Sequence, residues 1–393
     1  MDFLLNKKQR ELIQTAKEVA RECLEPRAYE VDQKADHPRA SWADVWTHGL
    51  LGMTIPEEYG GLGLDPLSYV LVVEQLAGGC TNTAMTVHMH SVVMRYIDSL
   101  GTPEQKANFY PEIVEQGKLF GSWGSEPSRR GGTGSVQTIL SREGDQYVIN
   151  GDKHFCTMAG GAHRYMVHCN VQGLDGGRNI VMALVPHNNI GITVKGEWDT
   201  LGMRGTVSPS VSFSDCKVED DWILGEVGQA ERSGIGQIFG LGYSAVYLGA
   251  AGRVVEWFSD YVQSHHFIPD PEPMAKNVLI QKPLAEMIMA LESARKVLYK
   301  SAWMWESNSD PIYRAVLAAR AKYMASEAAI MITTNSLQLL GGRMAQKRYP
   351  LERIYRDIRT CTLMPPSPDR CLEIIGKMEL GLDDELLMLR HSS

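Results

Sequence analysis

Paired cysteines are missing from this chain. Its seven cysteines, Cys23, Cys80, Cys156, Cys169, Cys216, Cys361 and Cys371, are scattered, with no Cys-x-x-Cys among them. An odd, dispersed set reads as free buried thiols in a reducing compartment. Neither Cys nor His falls at zinc-ligand spacing, so no metal site is expected. His88 and His90, in "VHMH", are two apart, and on a helix such side chains point in different directions. A surplus of positive charge is missing too. The net charge of −8 argues against a nucleic-acid-binding surface over the whole molecule. No uninterrupted apolar run is long enough to cross a bilayer, and "DFLLNKKQRELIQ" after Met1 lacks a signal-peptide layout. The expectation is a cytoplasmic protein with no membrane partner. There is no Gly-x-Ser-x-Gly nucleophile motif, no P-loop ending in Gly-Lys-Ser/Thr, no internal repeat and no low-complexity tail.

What is present is the material of a large globular subunit: 393 residues, 44% hydrophobic and 22% charged. Three zones follow one another. Residues 1–118 have helical spacing, with Leu12, Ile13, Ala16, Val19, Ala20 and Cys23 on one pattern. An Asp-Pro start precedes "LSYVLVVEQLAGG", and Thr-x-x-Gln opens "TPEQKANFYPEIVEQG" as a capping box. Residues 119–228 alternate polar and apolar, with Glu-Gly and Asn-Gly turn signals, and predict an antiparallel β-domain. Residues 229–393 return to long Ala-, Met- and Leu-rich helices, the pattern of an antiparallel bundle. The fold class expected is α+β: helical, then β, then helical bundle.

Several segments invite a functional reading. "GSWGSEPSRRGGTGS" (121–135) is glycine-dense; alone it reads as a plain loop, but Arg129 and Arg130 suit a phosphate or carboxylate. "NSLQLLGGRM" ends a helix at Gly341-Gly342, which alone is a glycine C-cap. His88 and His90 sit between apolar neighbours, as core or interface histidines do. Near the end, "IYRDIRTCTLMPPSPDR" runs a helix into Pro365, Pro366 and Pro368. The helix should stop near Met364, yet an amphipathic segment resumes at once.

In this order the segments resemble the acyl-CoA dehydrogenase flavoprotein family over essentially the whole chain. "IPEEYGGLGL" (55–64), "SEP" (125–127), "INGDKHFCT" (149–157), "LGMRGTVSPSVSFSDCKV" (201–218), "QLLGG" (338–342) and "YPLERIYRDIR" (349–359) carry the resemblance. Each is weak alone, and six in order are specific. The resemblance implies an antiparallel β-barrel for the middle zone and a four-helix bundle for the last, with FAD, an acyl-CoA or acyl-carrier-protein thioester, an electron-transfer partner or oxygen as acceptor, and a homotetramer. It implies flavin contacts from Trp123, Ser125, Phe155, Cys156, Thr157 and Ser367, with Gln338, Gly341 and Gly342 serving a neighbouring subunit's flavin. Arg129, Arg130 and Gly131 are the implied substrate contacts.

The departures matter as much. The family's Tyr-Glu-Gly-Thr break falls on Met364, Pro365, Pro366 and Ser367, so the usual catalytic Glu is Pro365. The other position used in the family lies within 236–251, which contains no carboxylate. Asp369, just past the break, is the local base candidate, with capping of the final helix as its alternative role. His88 and His90 are the second choice. The family's pyrophosphate-binding Arg falls near His265, with Arg343 or Lys347 as possible replacements. The implied activity is an FAD-dependent acyl-thioester dehydrogenase with a relocated or absent base. The alternatives are a reduced-flavin monooxygenase, a carrier-protein-linked oxidase, or a non-catalytic homologue.

Overall fold

Side-chain caps set the early helix boundaries in the computed structural model, which describes residues 5–127, 136–144, 146–174, 179–269 and 271–382. Asn6 and Gln9 form a reciprocal capping box that opens α1 (Lys7–Glu18), which widens into a π-helical turn over Val19–Leu24. Two short helices follow, α2 (Ala28–Lys34) and α3 (Arg39–Thr47). Asp65 accepts from the Ser68 amide at 2.8 Å and starts α4 (Pro66–Gly79), which ends at the predicted Gly-Gly. The almost wholly buried α5 (Thr81–Leu100) comes next. Thr102 and Gln105 then form the predicted box ahead of α6 (Pro103–Val114).

Among the described residues, eight strands occupy the middle: β1 (Phe120–Trp123), β2 (Ile139–Glu143), β3 (Gln146–Lys153), β4 (Arg164–Val171), β5 (Ile180–Pro186), β6 (Ile192–Lys195), β7 (Ser210–Val218) and β8 (Ile223–Leu224). They pair in the order β6-β7-β3-β2-β4-β5-β8. The expected antiparallel barrel is therefore modified in two ways. Among the described residues the sheet does not close, and β4 takes two parallel partners on one edge. β1 pairs along Arg164–Val167 and β2 with Asn170 and Val171. β1 enters from the helical domain rather than from a hairpin, and two strands intervene before β4, the kind of long connection that parallel pairing requires. Of the two turn signals, Glu-Gly closes the β2–β3 hairpin, whereas Asn150-Gly151 lies inside β3. There the register with β7 shifts. Gly151 has φ +139°, and a Cβ would stand 2.8 Å from the Thr138 Cα, so the glycine serves a bulge and a close approach.

After the short α7 (Gln229–Ser233), α8 (Ile238–Ser264), α9 (Val278–Glu306), α10 (Pro311–Leu340), α11 (Pro350–Cys361) and α12 (Pro368–Glu379) complete the chain. α10 packs against α8, α9, α11 and α12, while α8 also packs on α4 and α5 and ties the bundle to the first helices. By length and composition the 235–264 segment is apolar enough to cross a bilayer; 89% of its most apolar window is buried within the fold, so it is a core helix. The helix break is real. α11 ends at Cys361, three residues before Met364, and Ser367 accepts from the Arg370 amide to start α12. Tyr247 of α8 donates to the Cys361 carbonyl at 2.6 Å and braces the end of α11.

Candidate active site

Two loops at the end of β1 and β3 are locked together by a buried ion pair. Lys153 Nζ lies 2.7 Å from Glu126 Oε1, and both side chains are essentially inaccessible. Glu126 also accepts from the Gln137 amide and from the amide and hydroxyl of Thr138. Burial works to raise the Glu126 carboxyl, but Lys153 and these donors outweigh it and hold the group below the ordinary glutamate range. The His154 amide donates to the Ser125 carbonyl at 2.9 Å, so the 125–126 backbone runs alongside 153–154.

The segment beyond Lys153 is bent sharply. Phe155 has φ +54°, and its ring is 57% exposed, flanked by His154 at 4.0 Å and the edge of Trp198 at 6.2 Å. A large aromatic held left-handed and open to solvent is the kind of outlier that marks a functional surface. Trp123 stacks on Tyr165 at 3.7 Å and donates Nε1–H to the Thr157 carbonyl at 3.0 Å. Cys156 points inward, its thiol pushed up by burial, and its amide donates to Pro209. The Thr157 hydroxyl accepts from Ser208 at 3.1 Å, and Ser208 in turn is 2.9 Å from Thr206 Oγ1, which donates to the Met203 carbonyl. Thr157 thus keeps its own hydroxyl hydrogen without an acceptor among the described residues.

The 203–206 turn is clamped from below. Asp357 of α11 accepts the Met203 amide at 2.6 Å and the Asn82 side-chain amide at 3.0 Å, while Asn82 accepts the Gly205 amide at 2.8 Å. Burial raises the Asp357 carboxyl to about 6, against the pull of Arg353 and the Met203 amide.

Three family descriptions match in chain order: acyl-CoA dehydrogenase N-terminal domain over residues 6–117, middle domain over 121–216 and C-terminal domain over 241–364. The human mitochondrial short-chain specific acyl-CoA dehydrogenase is 33% identical over 354 residues, covering 88% of this chain and 84% of its own. This chain belongs to the acyl-CoA dehydrogenase family. It is thus a flavoprotein-family oxidoreductase of the class acting on CH–CH donors. The butyryl-CoA dehydrogenase of Megasphaera elsdenii superposes with a TM-score of 0.89 at 28% identity, covering 97% of this chain and all of that one. So does the dibenzothiophene monooxygenase TdsC of Paenibacillus sp. A11-2, at 0.83 and 28%, covering 95% and 97%. The latter is also known in an FMN-bound form.

Against this family background the other predicted residues divide. Trp123, Ser125, Phe155, Cys156 and Thr157 come together as described. Gln338, Gly341 and Gly342 are exposed at the end of α10, where Gly341, at φ +75°, caps the helix. No described hydrogen bond joins them to the Phe155–Thr157 segment. Pro365 and Ser367 are exposed in the break between α11 and α12. Asp369 is exposed one residue inside α12, and the capping role weighed for it belongs to Ser367. Arg129, Arg130 and Gly131 lie outside the described residues.

His88 is fully buried; Tyr69 Oη lies 2.6 Å from its Nδ1, and Nε2 has no hydrogen-bond partner among the described residues. Its ring meets Tyr243 edge-on at 4.9 Å and packs so closely on α8 that a Cβ at Gly242 would fall 2.1 Å away. Burial lowers it to about 3, so it is a neutral imidazole. His90 accepts from the Phe120 amide at 2.9 Å, its Nε2 is 3.2 Å from the Leu51 carbonyl, and burial lowers it to about 4. Both its nitrogens are engaged, in a clamp between α5 and β1. His265 stacks on Tyr261, Lys347 reaches Gln33 of α2, and Arg343 is exposed.

Sequence reasoning missed the Glu126–Lys153 pair, the Thr206–Ser208 hydroxyls and the Asn82–Asp357 clamp. Glu126, Lys153, Thr206, Ser208 and Asp357 all stand inside quoted motifs, and their charge or hydroxyl in a buried stretch was the available signal.

Proposed function

We propose that this protein binds FAD and oxidises an acyl thioester, using a general base moved from the family's usual place or a slower step without one. The observation that carries the reading is the Phe155–Thr157 segment. An exposed aromatic face beside a hydroxyl with an unspent hydrogen, both fixed by buried polar contacts, fits the ring and ring-edge acceptors of a flavin. Bound there, a flavin supplies hydride acceptance from the carbon β to the thioester. Thr157 donates its remaining hydrogen to that ring edge, Ser208 and Thr206 keep the hydroxyl oriented, and Phe155 with Trp198 excludes water from one face. Ser125 adds a second hydroxyl on the neighbouring loop. The thioester class is inferred from the acyl-CoA dehydrogenases that this chain resembles, and FAD rather than FMN from the motif resemblance.

Removal of the α-proton falls to a group other than residue 365. Asp369 is the exposed carboxylate next to the break, and His88 is a neutral imidazole beside Phe239 and Tyr243 on α8. The purified protein should be yellow and release FAD on denaturation. Anaerobic addition of an acyl-CoA panel then tests the substrate class. Losing a positioned base costs about 10²–10⁴-fold in rate, so butyryl- and octanoyl-CoA should bleach the flavin slowly or not at all. Asp369→Asn and His88→Gln test the two candidates. Bleaching at ordinary enzyme rates, unaffected by either substitution, would overturn the base assignment.

The carboxylate-free break, together with similarity to a monooxygenase of the same fold, favours a second reading. There, reduced flavin supplied by a separate reductase would react with oxygen, and no thioester would bleach the oxidised flavin. Oxygen consumption that depends on reduced flavin and forms an oxygenated product would select it. We also propose a homotetramer, supported by the solvent-open Gln338–Gly342 segment and by exposed apolar side chains on α9.

A further inference from the structure

We infer that Asp357 is a positioning residue for the flavin site: with Asn82 it clamps the 203–206 turn and so sets both the Thr157 hydroxyl and the Trp198–Phe155 wall. The inference rests on the flavin reading above. Its geometry converges on one residue, Met203, through the two peptide units that meet there. The Met203 N–H is taken by Asp357, and the Met203 carbonyl accepts from Trp198 Nε1 at 3.0 Å and from Thr206 Oγ1 at 2.8 Å. Trp198 is the edge partner of the exposed Phe155 ring, and Thr206 leads through Ser208 to Thr157. Turning the backbone at the Met203 Cα would displace both arms at once.

The backbone here does not rest in an ordinary conformation. Met203 has φ +57° and Val207 φ +41°, both unfavourable for side chains of this kind, so the turn keeps its shape only while its surroundings hold it. The holding groups are buried: Asp357 and Asn82 are inaccessible, and the Asn82 carbonyl oxygen takes the Gly205 amide. α11 grips the same segment a second time. Arg356 donates to the Leu201 carbonyl at 3.0 Å while paired with Asp32, and a Cβ at Gly202 would strike the Arg356 backbone. The helix that precedes the proline break therefore reaches across to the β-domain, and what it holds is the backbone behind the Thr157 hydroxyl.

The donor pattern makes the test sharp. Asp357 offers two acceptors, one for Met203 and one for the Asn82 amide group, while Asn82 offers its single acceptor to Gly205. Asp357→Asn places an NH₂ where an acceptor is needed, and flipping Asn82 only moves the conflict to Gly205. The double variant N82D/D357N restores every bond. The carboxylate introduced at position 82 then accepts from both Gly205 and the side-chain NH₂ introduced at position 357. The carbonyl oxygen of that new amide still accepts from Met203.

The experiment measures flavin dissociation, the visible spectrum and reduction potential of bound flavin, and the unfolding temperature of the flavin-free protein. D357N is expected to bind flavin about tenfold more weakly, with a shifted spectrum and potential, and N82D/D357N to recover them. If D357N does not fold, Asn82→Ala, which keeps the Asp357–Met203 bond but removes the acceptor of Gly205 and the donor to the second Asp357 oxygen, is expected to shift the same flavin readouts. A yellow wild type whose variants lower the unfolding temperature but leave affinity, spectrum and potential unchanged overturns the inference alone. A wild type that takes up no flavin overturns the functional reading and this inference with it.

Discussion

A buried imidazole that stays neutral makes a protein acid-sensitive, and α5 carries two. His88 and His90 titrate near 3 and 4, below the ordinary 6.5. Between pH 6.5 and about 4 the unfolded chain binds protons that the folded chain refuses, so stability falls as the pH falls through that window. At pH 5 each histidine costs about 2 kcal/mol. His90→Gln can keep both contacts, accepting from Phe120 and donating to Leu51, without that titration. The drop in unfolding temperature between pH 7 and pH 5 should shrink in this variant. An unchanged drop would show that the acid sensitivity arises elsewhere. The Glu126–Lys153 pair is a second residue-scale test. Lys153→Met leaves a carboxylate buried without its counter-charge and should destabilise by about 3–5 kcal/mol in urea denaturation. Lys153→Arg should not rescue it, because no room remains for a larger head in a fully enclosed site. Phe155 and Thr157 were legible in the sequence because they stand in a recognisable segment. The pairing of Glu126 with Lys153 was not, because nothing local says that residues 27 apart meet in the interior.

At the scale of elements, the legible features were those decided within a few residues. The Thr102–Gln105 box, the Asp65 cap and the proline break are local chemistry, and the chain obeys them. The misread ones depend on neighbours far away in sequence. Asn150-Gly151 has the composition of a hairpin turn, yet the strand continues through it because Thr138 and β7 lie alongside. Parallel pairing of β1 and β2 with β4 likewise carries no local signal. The last break supplies a prediction of its own. Ser367, not Asp369, caps α12, accepting from the Arg370 amide in its first turn. Ser367→Ala should therefore cost about 1 kcal/mol of helix stability, visible as faster amide exchange over Pro368–Glu379. Asp369→Asn removes only a charge from the first turn and should cost a few tenths of that. Equal effects of the two substitutions would return the cap to Asp369.

At the scale of the molecule, one chain leaves its own surface unfinished. On α9, Ile288, Met289 and Trp303 fall within an arc of roughly 100° by the helical period, and all three are exposed, Met289 to 64% and Trp303 to 56%. Apolar side chains grouped on one helix face commonly mark a contact with another protein. The Gln338–Gly342 segment, which the family resemblance assigns to a neighbour's flavin, is also open to solvent. The two observations make assembly and flavin binding a linked expectation: if a second copy covers α9 and brings its own α10 end to the flavin, loosening the contact must weaken both. The double substitution Met289→Glu with Trp303→Glu puts charges into that face without touching the Phe155–Thr157 segment or the Asp357 clamp. Light scattering should show a tetramer for the unmodified protein and a smaller species for the variant, and flavin affinity should fall at concentrations where the variant dissociates. Raising the protein concentration should restore both together, since mass action governs the assembly. A variant that is monomeric yet holds flavin as tightly as the parent would show that each chain completes its own site, and would remove Gln338 and Gly342 from the cofactor's surroundings.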